Sequence, residues 1–315
     1  MKDGDIMCKV LVKTSGLSHE DWLRYRKLGI GGSDAGAICG LNPYSTAISV
    51  FLDKINQDTD NFDNEAMRQG RDLENYVAER FMEVTGLKVR TVNAIYYNEK
   101  YPHLLANVDR MIVGQNIGLE CKTTNILNAD KWKDGDVPAH YQLQCHHYMA
   151  VTGAQAWYIA VVILGKEFKY VRIDRDEDII QNLISIETDF WYNHVLAGVM
   201  PDPDGSKAAD SIINQYFKTA TQKCITLPEY QDKLSRRSEL SELIDRLESE
   251  KKQIEQEIKL AMADAEIAAC GDYEVLWKNI LTSKLDVERI KQEQPDIYRK
   301  YLKEIQSRRF TVKAA

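Results

Sequence analysis

The feature that most constrains this chain is a change of hydrophobic period at Gly86. Before it, Leu73, Val77, Phe81 and Val84 recur at intervals of four, four and three within 65–84, one face of an amphipathic helix that Gly86 then ends. After it the period is that of strands, over 88–97, 104–113, 118–123, 156–164 and 168–173, with turn residues between several of them. A helix over 139–152 separates the third strand from the fourth. Upstream, 22–28 reads as a helix and Gly29 to Asp34 as a loop. Ser33 or Asp34 caps a short helix over 35–39, Asn42-Pro43-Tyr44 makes a turn, and 46–54 is again helical. Helix, strands, helix, strands is the order of an α/β or α+β domain.

Pro201-Asp202-Pro203-Asp204-Gly205 marks the expected boundary, giving domains 1–204 and 205–315. The second part changes character. Leu240, Ile244, Leu247, Ile254, Ile258 and Ala261 keep a four-three spacing, with Lys251 in one apolar slot and Glu and Lys around them. That pattern predicts a long helix with a narrow seam, expected to pack within the chain ahead of self-association. Residues 272–280 and 309–313 are expected to pair as strands around a helix over 297–305.

Composition excludes several classes. Of the 315 residues, 44% are hydrophobic and 28% charged, an ordinary globular balance. No apolar run approaches the roughly 18 residues that span a bilayer. Met1-Lys2-Asp3-Gly4-Asp5 is acidic and leads into no apolar stretch, unlike a signal peptide, so a cytoplasmic protein is expected. The six cysteines lie far apart with no CxxC pair, and His140, His146 and His147 have only Cys145 near them, so they read as helix residues rather than a zinc site. Net charge is 41 − 48 = −7. Phosphate binders usually carry a basic excess, so any DNA-binding surface here must be local.

The chemistry centres on Leu119-Glu120-Cys121-Lys122-Thr123. On a strand, residues two apart share a face, so Glu120 and Lys122 project together, opposite Leu119 and Cys121. Alone, that pair describes a half-exposed ion pair as well as a site. Asp109, on the preceding strand of a hairpin turning at 114–118, changes the weighing. Folded back, it lies beside Glu120, and two such carboxylates repel unless a divalent cation sits between them. Hard oxygen ligands suit Mg2+ or Mn2+. Lys122 beside that ion would orient or deprotonate the attacking water and offset transition-state charge. Gly31-Gly32-Ser33 leads into a helix N-terminus, where free N–H groups favour an anion, and Arg26 adds a bidentate phosphate donor. No G-K-[ST] follows, and the G-x-G-x-x-G spacing fails at Asp34, so no nucleotide cofactor is indicated.

Asp109 followed by E-x-K, after a helix that carries an acid, resembles the PD-(D/E)xK nuclease superfamily, with Val108 where that family has proline. The flanking blocks narrow the likeness. Gln69 to Glu74 with its G-x-x-x-E, Pro138 to Gln144 followed by Tyr148 to Gly153, and Trp22 to Asp34 with Arg26 and Gly31-Gly32-Ser33 resemble the YqaJ-type viral recombinases and lambda-type exonucleases. The blocks span 22–173, and nothing beyond contributes.

The resemblance implies a restriction-endonuclease-like core, a central mixed sheet flanked by helices, followed by a helical extension. It implies that Asp109, Glu120 and the backbone carbonyl of Cys121 ligate metal, and that Glu74 serves a second ion. Lys122 would position or activate water and Gln144 would help hold it, with Gln142 the alternative. Arg26 and Ser33 would hold a terminal 5′-phosphate. The function implied is a Mg2+-dependent 5′-to-3′ double-strand DNA exonuclease of phage or prophage recombination, leaving 3′ single-stranded tails by two-metal hydrolysis. Such enzymes form ring-shaped homo-oligomers and work with a single-strand annealing protein. The rivals are an endonuclease on the same core and a DNA-binding or scaffold protein without catalysis.

Overall fold

The computed structural model describes residues 8–56, 65–304 and 307–313, so Met1 to Asp5 and Ile305 lie outside the described residues. The first part of the chain runs β1 (Cys8–Lys13), α1 (His19–Arg26), β2 (Ile30–Gly31), α2 (Gly32–Ile38), α3 (Ala47–Ile55) and α4 (Glu65–Thr85). Next come β3 (Val89–Thr91), β4 (Ala94–Asn98), β5 (Leu104–Asn107), β6 (Arg110–Ile112) and β7 (Ile117–Thr124). After a kinked 3-10 stretch, Ile126–Gly135, follow α5 (Ala139–Thr152), β8 (Ala156–Ile163), β9 (Glu167–Asp174), α6 (Glu177–Phe190) and α7 (Lys207–Tyr216).

The strands form a five-stranded mixed sheet, β3-β6-β7-β8-β9, and a four-stranded one, β1-β4-β5-β2. In the first, β7 and β8 are parallel, joined through α5, while β9 turns back antiparallel onto β8. Such a crossover connection is what parallel neighbours require. On one side α4 packs Val77, Ala78 and Phe81 against Ile112, Leu119 and Ala160. Cys145, Met149 and Val151 of α5 join Ile159 and Val161 of β8 in the main core. Burying aliphatic and aromatic side chains of this size contributes roughly 1.5–3 kcal/mol each. The expected α/β core with a central mixed sheet and flanking helices is the observed architecture.

Four local expectations change. Val84 stands 51% exposed, and Ala78 takes its place in the stripe, because α4 meets the sheet through its middle turns. The single strands expected over 88–97 and 104–113 each break in two. At 92–93 and 108–109 the chain leaves one sheet for the other, and Asn93 O accepts from Thr14 N at 3.0 Å. Asp109 therefore sits at a break between two sheets, not within a strand. The loop over 29–34 contains a short strand, with Ile30 paired to Leu104, and α2 starts at Gly32. Gly31 is its cap, and Asp34 reaches back to accept from Gly31 N at 2.9 Å. Gly32 also lets α2 approach α5, since a Cβ there would lie 2.6 Å from the Tyr148 ring.

The chain divides into two compact units, 1–217 and 218–315. This division and the turn at 201–205 differ by α7, whose Ala209 is buried in the first unit. The second unit holds α8 (Gln231–Met262), β10 (Ile267–Cys270), β11 (Tyr273–Leu276), α9 (Val287–Glu293) and α10 (Pro295–Tyr301). The expected pairing of 272–280 with 309–313 does not form. Instead β11 pairs with β10 across Gly271, whose φ of +58° closes a tight hairpin. A local turn costs less chain entropy than closing the far longer loop over 281–308. Among the described residues of the second unit nothing covers the α8 seam expected to pack within the chain: Leu240, Ile244, Leu247 and Ile254 are all more than 40% exposed. No helix among the described residues is long and apolar enough to cross a membrane.

Candidate active site

Strand β7 presents Glu120 and Lys122 towards α5, opposite the Leu119 side chain that packs under α4. Glu120 is buried. Its Oε1 accepts from Lys122 Nζ at 2.6 Å and from Gln144 Nε2 at 2.7 Å. Its Oε2 is buried without a hydrogen-bond partner in the protein. An orphaned carboxylate oxygen is costly to bury unless something else satisfies it.

Asp109 closes on the same strand from the sheet break, its Oδ2 accepting from Cys121 N at 3.0 Å. Burial pushes its carboxyl well above the usual carboxylate range, and the charges of Glu120 and Glu74 push the same way. Burial alone would depress the Lys122 ammonium, but Glu120 overcomes it and raises it. The same ammonium lies 4.7 Å from the centroid of the Tyr141 ring, a cation–π contact.

Glu74, on α4, faces this group but is held by Arg110, which is nearly buried. Arg110 Nη1 bonds both Glu74 Oε1 and the carbonyl of Asp109, the latter at 2.8 Å, while Nη2 bonds Asn75 Oδ1. Among the described residues no three His, Cys, Asp or Glu side chains already converge at metal-ligand spacing. Glu74 is drawn to a guanidinium, which leaves Asp109 and Glu120 as the close pair. Those two fit a hard divalent cation: one oxygen is orphaned, and the Glu120 charge disfavours ionisation of Asp109.

Gln144 also bonds the Tyr148 hydroxyl at 2.9 Å, whereas Gln142 turns away to the carbonyl of Val137 at 2.7 Å. Of the two glutamines, Gln144 is the one beside Glu120. Tyr148 continues the connection, since its ring backs Gly32 at the start of α2. There Arg26 Nη2 bonds Ser33 Oγ at 3.0 Å and the guanidinium stacks 4.8 Å from the Trp22 ring. Lys54, buried, bonds Asp34 at 2.7 Å and the carbonyl of Arg26 at 3.2 Å. Burial would raise the Asp34 carboxyl, but Lys54 and Arg26 hold it below its usual value. The Arg26–Ser33 pair therefore rests on a fixed base. The histidines of α5 do other work. His147 is bonded to Glu187 at 2.8 Å and to the carbonyl of Leu105 at 2.9 Å, and His140 lies 4.0 Å from Tyr141, centroid to centroid.

Sequence reasoning gave no role to Tyr141, Tyr148 or Arg110. The first two carried a signal: 141, 144 and 148 are spaced three and four, one helix face. Arg110 carried none, since its partners lie on a helix more than 30 residues away.

Residues 21–155 match the model of the YqaJ-like viral recombinase domain. The protein YqaJ of Bacillus subtilis (strain 168), itself uncharacterized, is 39% identical over 310 residues, covering 97% of each chain. Among solved structures, LHK-Exo in complex with dAMP aligns at a TM-score of 0.50 and 20% identity, over 64% of this chain and all of the other. LHK-Exo is an alkaline exonuclease from Laribacter hongkongensis, and the likeness is one of fold. With identity of this extent along nearly its whole length, the chain belongs to the YqaJ-like viral recombinase family.

Proposed function

We propose that this protein is a divalent-metal-dependent nuclease that degrades double-stranded DNA from its ends, 5′ to 3′, leaving 3′ single-stranded tails. The observation that carries the reading is the buried pair Asp109 and Glu120, with an orphaned Glu120 oxygen and Lys122 on the same strand. Asp109, Glu120 and the Cys121 carbonyl would hold Mg2+, or Mn2+ in its place, and Glu74 would serve a second ion once released from Arg110. A bound ion of this kind supplies positive charge to the phosphoryl oxygens and lowers the pKa of its water.

The chain's own residues do the rest. Gln144, anchored at one end by Tyr148, fixes Glu120 in place. Lys122 orients the attacking water and offsets the negative charge that develops on the phosphate. Arg26 and Ser33, at the N-terminal end of α2, would bind the terminal 5′-phosphate, with the guanidinium over the Trp22 ring. That pocket favours end-dependent cutting over the endonuclease reading. By the same resemblance the enzyme would act as a ring-shaped homo-oligomer with a single-strand annealing protein, in the cytoplasm of a bacterial host carrying the phage or prophage.

Digestion of linear and covalently closed duplexes of one sequence, with and without Mg2+, tests the reading. The linear form should be degraded and the circle spared, and EDTA should stop the reaction until Mg2+ or Mn2+ is restored. Cutting of the circle at a comparable rate would favour the endonuclease, and inertness towards both would favour a DNA-binding protein without catalysis.

A further inference from the structure

Helix α8 holds an apolar seam in coiled-coil register. With Ile244 at position a, Leu240, Leu247, Ile254 and Ala261 fall at d, and Ile258 at the a position two heptads after Ile244. Lys251 takes the a position between them. The five large apolar residues of the seam are 38–56% exposed, a face wide enough to seat a second helix. The flanking e and g positions decide what that helix is. They hold Glu248 and Glu255 at e, Glu250 and Glu257 at g, and no basic residue.

This charge pattern disfavours a second copy of the chain. In a parallel pair each g residue faces the e residue of the next heptad on the partner, so Glu250 would meet Glu255 and Lys251 would meet Lys251. In an antiparallel pair e faces e and g faces g, again glutamate against glutamate. Like charges across such a seam are a known means of rejecting self-pairing. We infer that the α8 seam is the docking site for a helix of another protein that carries an apolar heptad stripe flanked by lysine or arginine. Basic residues at the partner's e and g positions meet the four glutamates, and an acidic residue on its seam faces Lys251. The inference rests on α8 alone and does not depend on the nuclease reading.

Two synthetic heptad peptides test it, both with isoleucine at a and leucine at d, one with lysine at e and g and the other with glutamate. Each is titrated, with a fluorescent label, into the full-length protein. The lysine peptide should bind saturably and the glutamate peptide about tenfold or more weakly, since four flanking ion pairs of modest strength separate them. Ile254→Asp should abolish binding while leaving digestion of linear DNA unchanged. The variant E248K/E250K/E255K/E257K, which alters no apolar position, should reverse the preference between the peptides. Equal binding of both peptides, binding of neither by the natural protein, or an unchanged preference in the charge-reversed variant overturns the inference. So does a fall in the protein's own oligomeric mass on Ile254→Asp, which would assign the seam to a second copy.

Discussion

The backbone amide of Cys121 donates to the Asp109 carboxylate at 3.0 Å, which ties the break between β5 and β6 to the middle of β7. That one bond joins residues twelve apart, at the point where the chain passes between its two sheets. It sets Asp109 beside Glu120 although neither helical nor strand periodicity requires it.

Removing either end of that arrangement should stop the chemistry and spare the fold. Asp109→Ala and Lys122→Ala are each expected to lower the cleavage rate by roughly 10²–10³-fold or more, the scale of losing a main electrostatic group. Duplex binding, followed by fluorescence anisotropy, should stay near that of the natural protein. Normal turnover by either variant would move the active site elsewhere.

Arg26 bonds Ser33 with its fork lying over Trp22. Arg26→Ala should reduce the rate advantage of 5′-phosphorylated over 5′-hydroxyl ends, with little change on the hydroxyl substrate. Arg26→Lys should recover only part of it, because an ammonium keeps the charge but not the planar fork. An undiminished advantage in Arg26→Ala would remove the phosphate pocket.

Gly118 sits against the fully buried Trp157, and a Cβ there would lie 2.1 Å from the indole Cζ2. Both atoms belong to paired central strands, Gly118 facing Trp157 in the register of β7 and β8, so neither yields easily. Gly118→Ala should cost about 1–3 kcal/mol in urea denaturation, the usual range for overpacking a core. An unchanged midpoint would show that the indole repacks freely.

His147 is buried between the Glu187 carboxylate and the carbonyl of Leu105. Burial opposes its charge, but Glu187 overcomes it and raises the imidazole, while burial raises the Glu187 carboxyl as well. Both shifts mean that the folded protein keeps a proton the unfolded chain releases. The histidine's share of the stabilisation is therefore full below about pH 6.5, its unfolded value, and is lost as pH rises through its raised folded value, whereas the carboxyl's share is full only below about pH 4.5, the unfolded value for Glu187. Glu187→Gln removes the charge that retains the proton. Its Tm should fall less steeply than that of the natural protein on raising the pH above about 6.5. Parallel slopes would show that the pair does not titrate in this way.

Much of this protein is legible in the sequence because much of it is local. The α5 helix runs from Ala139 to Thr152 as its pattern predicts, and Gly153 caps it with a φ of +69°. Strand β7 forms over Ile117–Thr124, and strand geometry puts Glu120 and Lys122 on one face whatever surrounds them. The blocks around Arg26, Glu74 and Gln144 are local too, and they carried the family resemblance.

What only the tertiary structure decided is where those local pieces meet. Strand periodicity does not say which sheet a strand joins, so 88–97 and 104–113 read as single strands although each serves two sheets. Glu74 reads as a free acid until Arg110 reaches it from β6, beneath α4. The choice between Gln142 and Gln144 depends on how α5 is rotated against β7, which packing at Tyr148 and Gly32 sets. The α8 seam shows the opposite case: its heptads are plain in the sequence, but its exposure is a property of the fold alone. Periodicity is encoded residue by residue, whereas a site is made of contacts between residues far apart, and only the packed chain specifies those.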